Sequence, residues 1–430
     1  MRKSVLRPAL TTLLAFALII PSLPAGEWRL AGETDQEPTT YKVGDKITFT
    51  LQALEDEQAV AGRKLSWTRK GDDGKVEEGS GVTDEKGLVI TTATDQPGFV
   101  LLIAKLLDDE GQPVKNSRDR EVIFTGGAAA EVAKLASGAE PADFDEFWQK
   151  SKARLAEVPL KFKLEAVESD KEGIELFDVE VDCAGDKPVR GYLARPLNAA
   201  PKSLPAVVSL HGYGIRSAGK PLDHATQGRI ALDINAHGIA NGQPAEFYSN
   251  LAADELRGYG FKNNEDPNDS YFLGMMWRLM RALEFIKAQP EWDGRNLIVS
   301  GGSQGGLQAI AAAALDSDVS FCAASKPWMC DLAGIEQGRL RGWRPDLVPG
   351  LLYFDCANFA KRIKCSVLFD AGMGDTTCPP SGVAVTFNNL DCPKEIIFVQ
   401  GADHMSYPPK SSNVWGGLWR HFNSLKQQNQ

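Results

Sequence analysis

The feature that most constrains this chain is a glycine-rich stretch, Gly301-Gly302-Ser303-Gln304-Gly305-Gly306, set between an apolar run and an Ala-rich run. Leu297–Val299 before it reads as a short buried strand, and Leu307–Leu315 after it reads as a helix. A strand that turns into a helix over so few residues brings backbone against backbone. Side chains flanking the turn would collide there, and glycine removes them. The pattern G-x-S-x-G in this context presents a serine hydroxyl at the head of a helix. Free N–H groups and the positive dipole end there face a developing negative charge. Alone, the pattern also arises by chance as a turn with a surface serine; the strand before it and the helix after it give it weight. A phosphate-binding loop fits poorly, because no Lys-Ser or Lys-Thr pair follows and no G-x-G-x-x-G is present.

The rest of the C-terminal two-thirds extends this βα pattern. Asp143–Val158 reads as a helix that opens with Asp143 as N-cap and Glu146 three residues on, a capping-box start. Val207–Leu210 reads as a strand, Tyr271–Ala288 as a long helix whose aliphatic and Met positions face a core, Val367–Phe369 and Ile396–Val399 as buried strands, and Asn413–Leu425 as a final helix. Such alternation predicts a mainly parallel sheet with helices on both faces, an α/β-hydrolase fold over residues 142–430.

Residues 26–125 follow a different rule. Ile47–Leu51, Leu65–Thr68, Leu88–Thr92, Phe99–Lys105 and Glu121–Phe124 are short strands, separated by turn sequences such as Gly71-Asp72-Asp73-Gly74 and Gln96-Pro97-Gly98. Their spacing predicts a small all-β sandwich of immunoglobulin-like type, without the Cys pair of antibody domains. Residues 126–141 (GGAAAEVAKLASGAEP) read as a linker. Ahead of all this, Arg2, Lys3 and Arg7 precede the apolar run Leu13–Ile20 and the small-residue end Pro24-Ala25. That is the layout of a secretory signal peptide over residues 1–25, and it predicts export to the periplasm or the extracellular space. The run is short for a membrane span, so no stable membrane insertion is expected. About 405 residues then remain, enough for two domains. The net charge of −10 argues against a nucleic-acid partner. The seven cysteines match no zinc spacing and read mostly as small buried residues, with room for one bridge.

A serine hydroxyl needs a base, usually a histidine oriented by a carboxylate. Of five histidines, His224 and His421 lack a strand-end setting, His211 precedes a glycine at a strand end, and His237 sits in a loop. His404 follows the strand Ile396–Val399 by a short turn, late in the chain, which makes it the candidate base. Asp375, in Gly372-Met373-Gly374-Asp375, is the candidate acid; Asp370 lies too close to its strand and Asp403 beside the base itself. The order Ser303, Asp375, His404 is that of α/β-hydrolases. Oxyanion donors are expected from the backbone N–H of Gln304 and from the loop His211-Gly212-Tyr213-Gly214.

The landmarks Pro141–Trp148 (PADFDEFW), His211–Gly214 (HGYG), Arg281–Ile286 (RALEFI), Gly301–Gly306 (GGSQGG), Tyr353–Asp355 (YFD) and Gly374–Pro380 (GDTTCPP) occur in this order along residues 140–425. In them the chain resembles the acetyl xylan esterases and cephalosporin C deacetylases of carbohydrate esterase family seven. The resemblance implies Ser303, Asp375 and His404 as a triad, with the N–H groups of Tyr213 and Gln304 as oxyanion donors. It implies an acetylated saccharide or other small acetyl ester as substrate, no metal or organic cofactor, and leaves a homo-oligomer open. Two positions depart from the family pattern: Asn235-Ala236-His237-Gly238 stands where Arg-Gly-Gln is usual, and Met405 follows the late histidine in place of Glu. His211 and His237 are therefore candidate pocket residues, His237 in place of the missing arginine. The alternatives are a serine peptidase of prolyl oligopeptidase type, whose propeller has no counterpart in the short N-terminal region, and a decayed hydrolase acting as a binding protein.

Overall fold

The computed structural model describes residues 27–428. The expected signal peptide lies outside the described residues. Among those residues no helix is long and apolar enough to cross a membrane.

One nine-stranded sheet organises the C-terminal part. From one edge it runs Lys394–Val399, Ser366–Gly372, Phe321–Ser325, Trp292–Gly302, Leu204–Leu210, Ile230–Asn235, Val189–Pro196, Ile174–Val181 and Phe162–Val167. The first six are mutually parallel and the last three antiparallel. Parallel strands buried on both faces are apolar throughout, and Trp292–Gly302 is buried without a break from Leu297 to Gly301. Tyr271–Lys287 covers one face with 13 buried side chains, while Val414–Gln428 covers the other through Val414, Leu418 and Phe422. Helices on both faces of such a sheet, with a serine turn at the C-terminal end of a central strand, make the α/β-hydrolase fold.

The helix Phe144–Ala156 forms where its periodicity requires, but Asp143 makes no side-chain cap. Its carboxylate instead accepts the Tyr353 hydroxyl at 2.5 Å, and the Trp148 indole N–H donates to the Tyr353 carbonyl. The capping-box expectation gives way to a tertiary contact between two of the landmarks.

Residues 28–130 form two four-stranded sheets, Trp28–Thr34, Ile47–Glu55, Gln58-Ala59 and Leu88–Thr92 in one, Val76–Val82, Lys64–Gly71, Gly98–Leu107 and Ile123–Ala130 in the other. Leu30, Phe49, Leu51, Leu65, Leu102 and Phe124 are among the side chains that fill the space between them. The last strand runs on through Gly126–Ala130, which the sequence assigns to a linker; these residues pair with Gly98–Leu102 and are largely buried. All seven cysteines are free thiols, four of them buried.

Candidate active site

Ser303 sits at φ 56°, ψ −118°, between the strand Trp292–Gly302 and the helix Gln304–Leu315. Positive φ is costly for a residue with a side chain and persists only where the surroundings impose it. They do so here at close quarters. A Cβ on Gly305 would fall 2.0 Å from the Leu210 carbonyl oxygen, and one on Gly301 2.5 Å from the Gly305 carbonyl. The Ser303 N–H donates to the Ser325 carbonyl at 2.9 Å, and its own carbonyl accepts the Trp328 N–H at 2.9 Å. The turn is thus clamped at Ser303 by Ser325, the last residue of the strand Phe321–Ser325, and by Trp328 just beyond it.

His404 reaches this serine from the loop after the strand Lys394–Val399. Its Nε2 lies 3.1 Å from Ser303 Oγ and its Nδ1 2.8 Å from Asp375 Oδ2. The other Asp375 oxygen accepts the N–H groups of Thr377 and Cys378, each at 2.8 Å, and the side chain is fully buried. An acceptor-only carboxylate on Nδ1 fixes the imidazole with its proton there, leaving Nε2 free to accept the serine proton. Asp370 and Asp403 have other work. Asp370 accepts the Tyr407 hydroxyl and the Val414 N–H at the head of the final helix, and Asp403 closes its own turn through the Met405 and Ser406 N–H groups.

The loop His211–Gly214 lies alongside: a Cβ on Gly212 would stand 3.8 Å from Ser303 Cβ. Gln304 opens its helix, so its backbone N–H has no intrahelical acceptor. Its side chain is buried, and its Oε1 accepts the Tyr259 hydroxyl at 2.6 Å. The Tyr213 ring stacks on Tyr259 with centroids 4.5 Å apart and meets Trp343 edge-on. Trp343, in the segment 340–352, is 42% exposed and packs on Trp328 and Phe261. It is bound to the loop of Asp375 through its N–H to the Thr377 carbonyl.

The two histidines expected at a pocket, His211 and His237, sit at the base of and behind the loop His211–Gly214. His211 Nε2 accepts the Ala236 N–H, so its Nδ1 carries the proton toward the Gly212 carbonyl. His237 is 1% exposed, with Nε2 against the Gly214 carbonyl and Nδ1 against the Tyr271 hydroxyl at 2.5 Å. Arg278 donates to the Ala236 carbonyl from the long helix. His237 therefore braces the loop from inside, and what the missing arginine's position supports is loop geometry.

Burial pushes the His211 pKa down to about 4 and that of His237 down to about 3. An unfolded histidine titrates near pH 6.5. Stability tied to these rings is therefore fully present above about pH 6.5 and is lost as pH falls toward their folded values, by at most about 1.4 kcal/mol per pH unit for each ring. His237→Gln keeps a donor for Gly214 but removes the titration. Denaturant unfolding at stepped pH should show wild type losing stability relative to this variant between pH 6.5 and 4; parallel curves would contradict this.

Sequence reasoning missed Lys326. Its buried ammonium donates to the carbonyls of Asp403, His404 and Ser406 at 2.6, 3.4 and 3.2 Å and lies 3.6 Å from the Tyr407 ring centroid. Desolvation pushes its pKa down, opposed by Asp370, Asp375 and Asp403 nearby. One residue past the strand that clamps Ser303, it also holds the loop of His404. The only sequence signal was a lysine one serine beyond the apolar run Phe321–Ala324. Lys326→Met should lower kcat on the order of 10²-fold, the cost of a misplacement of about 1 Å, with little change in KM. An unchanged kcat in steady-state assays would refute that role. Among the described residues no group of three or more His, Cys, Asp or Glu is placed to hold a metal ion.

Fold and site together define an α/β-hydrolase. Residues 134–340 and 343–414 match the acetyl xylan esterase family. An acetyl esterase of Xylanibacter ruminicola is 30% identical over 298 residues, 65% of this chain and 66% of that protein, so the chain spans just under two thirds of that relative. Among solved structures, an acetyl xylan esterase from a Paenibacillus species is 28% identical with a TM-score of 0.56, covering 68% of this chain and 98% of that one. Acetyl xylan esterase 1 from a Thermoanaerobacterium species, 21% identical with a TM-score of 0.53 over 68% of this chain and 96% of its own, shares the fold. The chain belongs to the acetyl xylan esterase family, a family of carboxylic ester hydrolases.

Proposed function

We propose that the protein is an exported serine esterase that removes acetyl groups from saccharides through an acyl-enzyme. The observation that carries the reading is the continuous hydrogen-bonded line Asp375–His404–Ser303 in a chain of this family. Ser303 Oγ attacks the acetyl carbonyl carbon while His404 Nε2 takes its proton. The oxyanion accepts from the backbone N–H groups of Tyr213 and Gln304, and Asp375 steadies the imidazolium. His404 returns the proton to the departing sugar oxygen; a water then repeats the attack and releases acetate. Each oxyanion donor of this kind contributes about 2.7–4 kcal/mol to the transition state.

The reading includes removal of residues 1–25 on export, an immunoglobulin-like domain that starts at residue 26 and closes on the strand Ile123–Ala130, and a catalytic domain over 142–430. It requires no metal or organic cofactor. A panel of p-nitrophenyl acetate, p-nitrophenyl butyrate, acetylated xylan and dipeptide anilides tests it. Acetyl esters, including those on xylan, should be hydrolysed and the anilides left intact; faster anilide cleavage would favour a peptidase. Secretion is tested by fractionating a bacterium that expresses the full chain, where the product should lie outside the cytoplasm with an N-terminus near residue 26.

A further inference from the structure

We propose that the N-terminal β region is a positioning element for ester hydrolysis: its strand Ile123–Ala130 sets the loops that carry Asp375 and His404. The inference rests on the esterase reading above. The family match begins only at residue 134, so this strand lies outside it.

Three segments meet as one block. The acid's loop and the base's loop are joined by two backbone hydrogen bonds, Met373 N–H to the Val399 carbonyl and Gly374 N–H to the Ala402 carbonyl, both at 3.0 Å. The strand lies directly on this seam. A Cβ on Gly374 would stand 2.4 Å from the Thr125 carbonyl carbon and 2.7 Å from the Gly126 nitrogen, and a Cβ on Gly127 2.6 Å from the Met373 carbonyl oxygen. Backbone meets backbone here, and the Thr125 Cβ also stands 2.4 Å from the position a Gly374 Cβ would take. Gln400, in the base's loop, then pairs its amide with both polar groups of Gly127: Oε1 accepts the N–H and Nε2 donates to the carbonyl, each at 2.8 Å. Gly127 is paired through the sheet with Leu101 on its other side, so Gln400 stands where one more strand would be.

A second brace arrives from the turn Gly71–Gly74. The buried Asp72 carboxylate accepts the Phe99 N–H within the β region and the Leu340 N–H of the hydrolase. Leu340 is three residues from Trp343, whose N–H holds the Thr377 carbonyl beside Asp375. Phe99 and Leu101 also share a buried cluster with Met373, Ala384 and Val385. A tethered binding module needs none of this. Contacts that converge on residues 373–377 and 400 act on the geometry of the acid and the base, and a shift of about 1 Å there is enough to cost turnover.

Gln400→Ala separates the possibilities in the full-length protein. Its kcat on p-nitrophenyl acetate should fall about tenfold with KM within about twofold, and deacetylation of xylan should fall by the same factor. Gln400→Glu, which keeps the acceptor for the Gly127 N–H, should fall in between, and it serves if the alanine variant melts before assay. Full turnover of p-nitrophenyl acetate by a folded Gln400→Ala overturns the inference, whether xylan deacetylation is retained or selectively lost, the latter marking the region as a carbohydrate-binding module. Wild type assayed alongside keeps the two readings apart. If it neither hydrolyses ester nor takes up a serine-reactive phosphonate, the esterase reading itself fails and this inference with it.

Discussion

Ser303→Ala is expected to lower kcat on acetyl esters by about 10⁶-fold, the scale at which a triad's serine and histidine act as one unit. The reason lies in the turn. The strained conformation of Ser303 (φ 56°) aims Oγ at His404 Nε2, 3.1 Å away, and alanine keeps that backbone while removing the atom that forms the acyl-enzyme. The N–H groups of Tyr213 and Gln304 remain, so a residual acceleration of roughly 10³–10⁴ over water is the floor. Fold and melting temperature should be unchanged, because the hydroxyl bonds to His404 and the clamp on Ser303 is backbone. Single-turnover assays with p-nitrophenyl acetate check this, since the burst of the acyl-enzyme disappears with the nucleophile. A variant retaining more than a small fraction of wild-type turnover would refute the assignment.

Asp375→Asn carries the second largest effect, about 10⁴-fold in kcat. The substitution is isosteric, and Thr377 and Cys378 still have an oxygen to donate to. The amide nitrogen then faces His404 Nδ1, where Asp375 Oδ2 lies 2.8 Å away. A donor at that place requires Nδ1 to accept, which puts the imidazole proton on Nε2, against the serine. The base is then occupied in the tautomer that cannot take the serine proton. KM should change little, because Asp375 is buried away from substrate. Equal kcat for wild type and a correctly folded Asp375→Asn would contradict the role.

These residues were legible in the sequence because each is tied to a local rule. A Cβ on Gly301 or Gly305, on either side of Ser303, would meet backbone atoms at 2.5 and 2.0 Å, and such an approach admits no other residue. With only five histidines in the chain, strand-end position was enough to single out His404. Lys326 follows no rule of spacing; its role depends on three carbonyls some 80 residues later in the chain. The Tyr271–His237–Gly214 brace is likewise made only in three dimensions. Gly126–Ala130 read as a linker because small residues usually mean flexibility, whereas here they mean close approach to Met373 and Gly374. The strand Val76–Val82 escaped notice for a different reason: it is half-exposed along its length, with Glu77, Glu78 and two glycines in place of an apolar face.

The central claim is that Ser303 is the nucleophile, and mass spectrometry after treatment with a fluorophosphonate tests it most directly. One adduct per chain should form, located to the peptide containing Ser303. It should be absent from Ser303→Ala, and activity should be lost in step with labelling. Full ester hydrolysis by protein that takes up no label, or a stoichiometric adduct on another residue with Ser303 unmodified, would contradict the account.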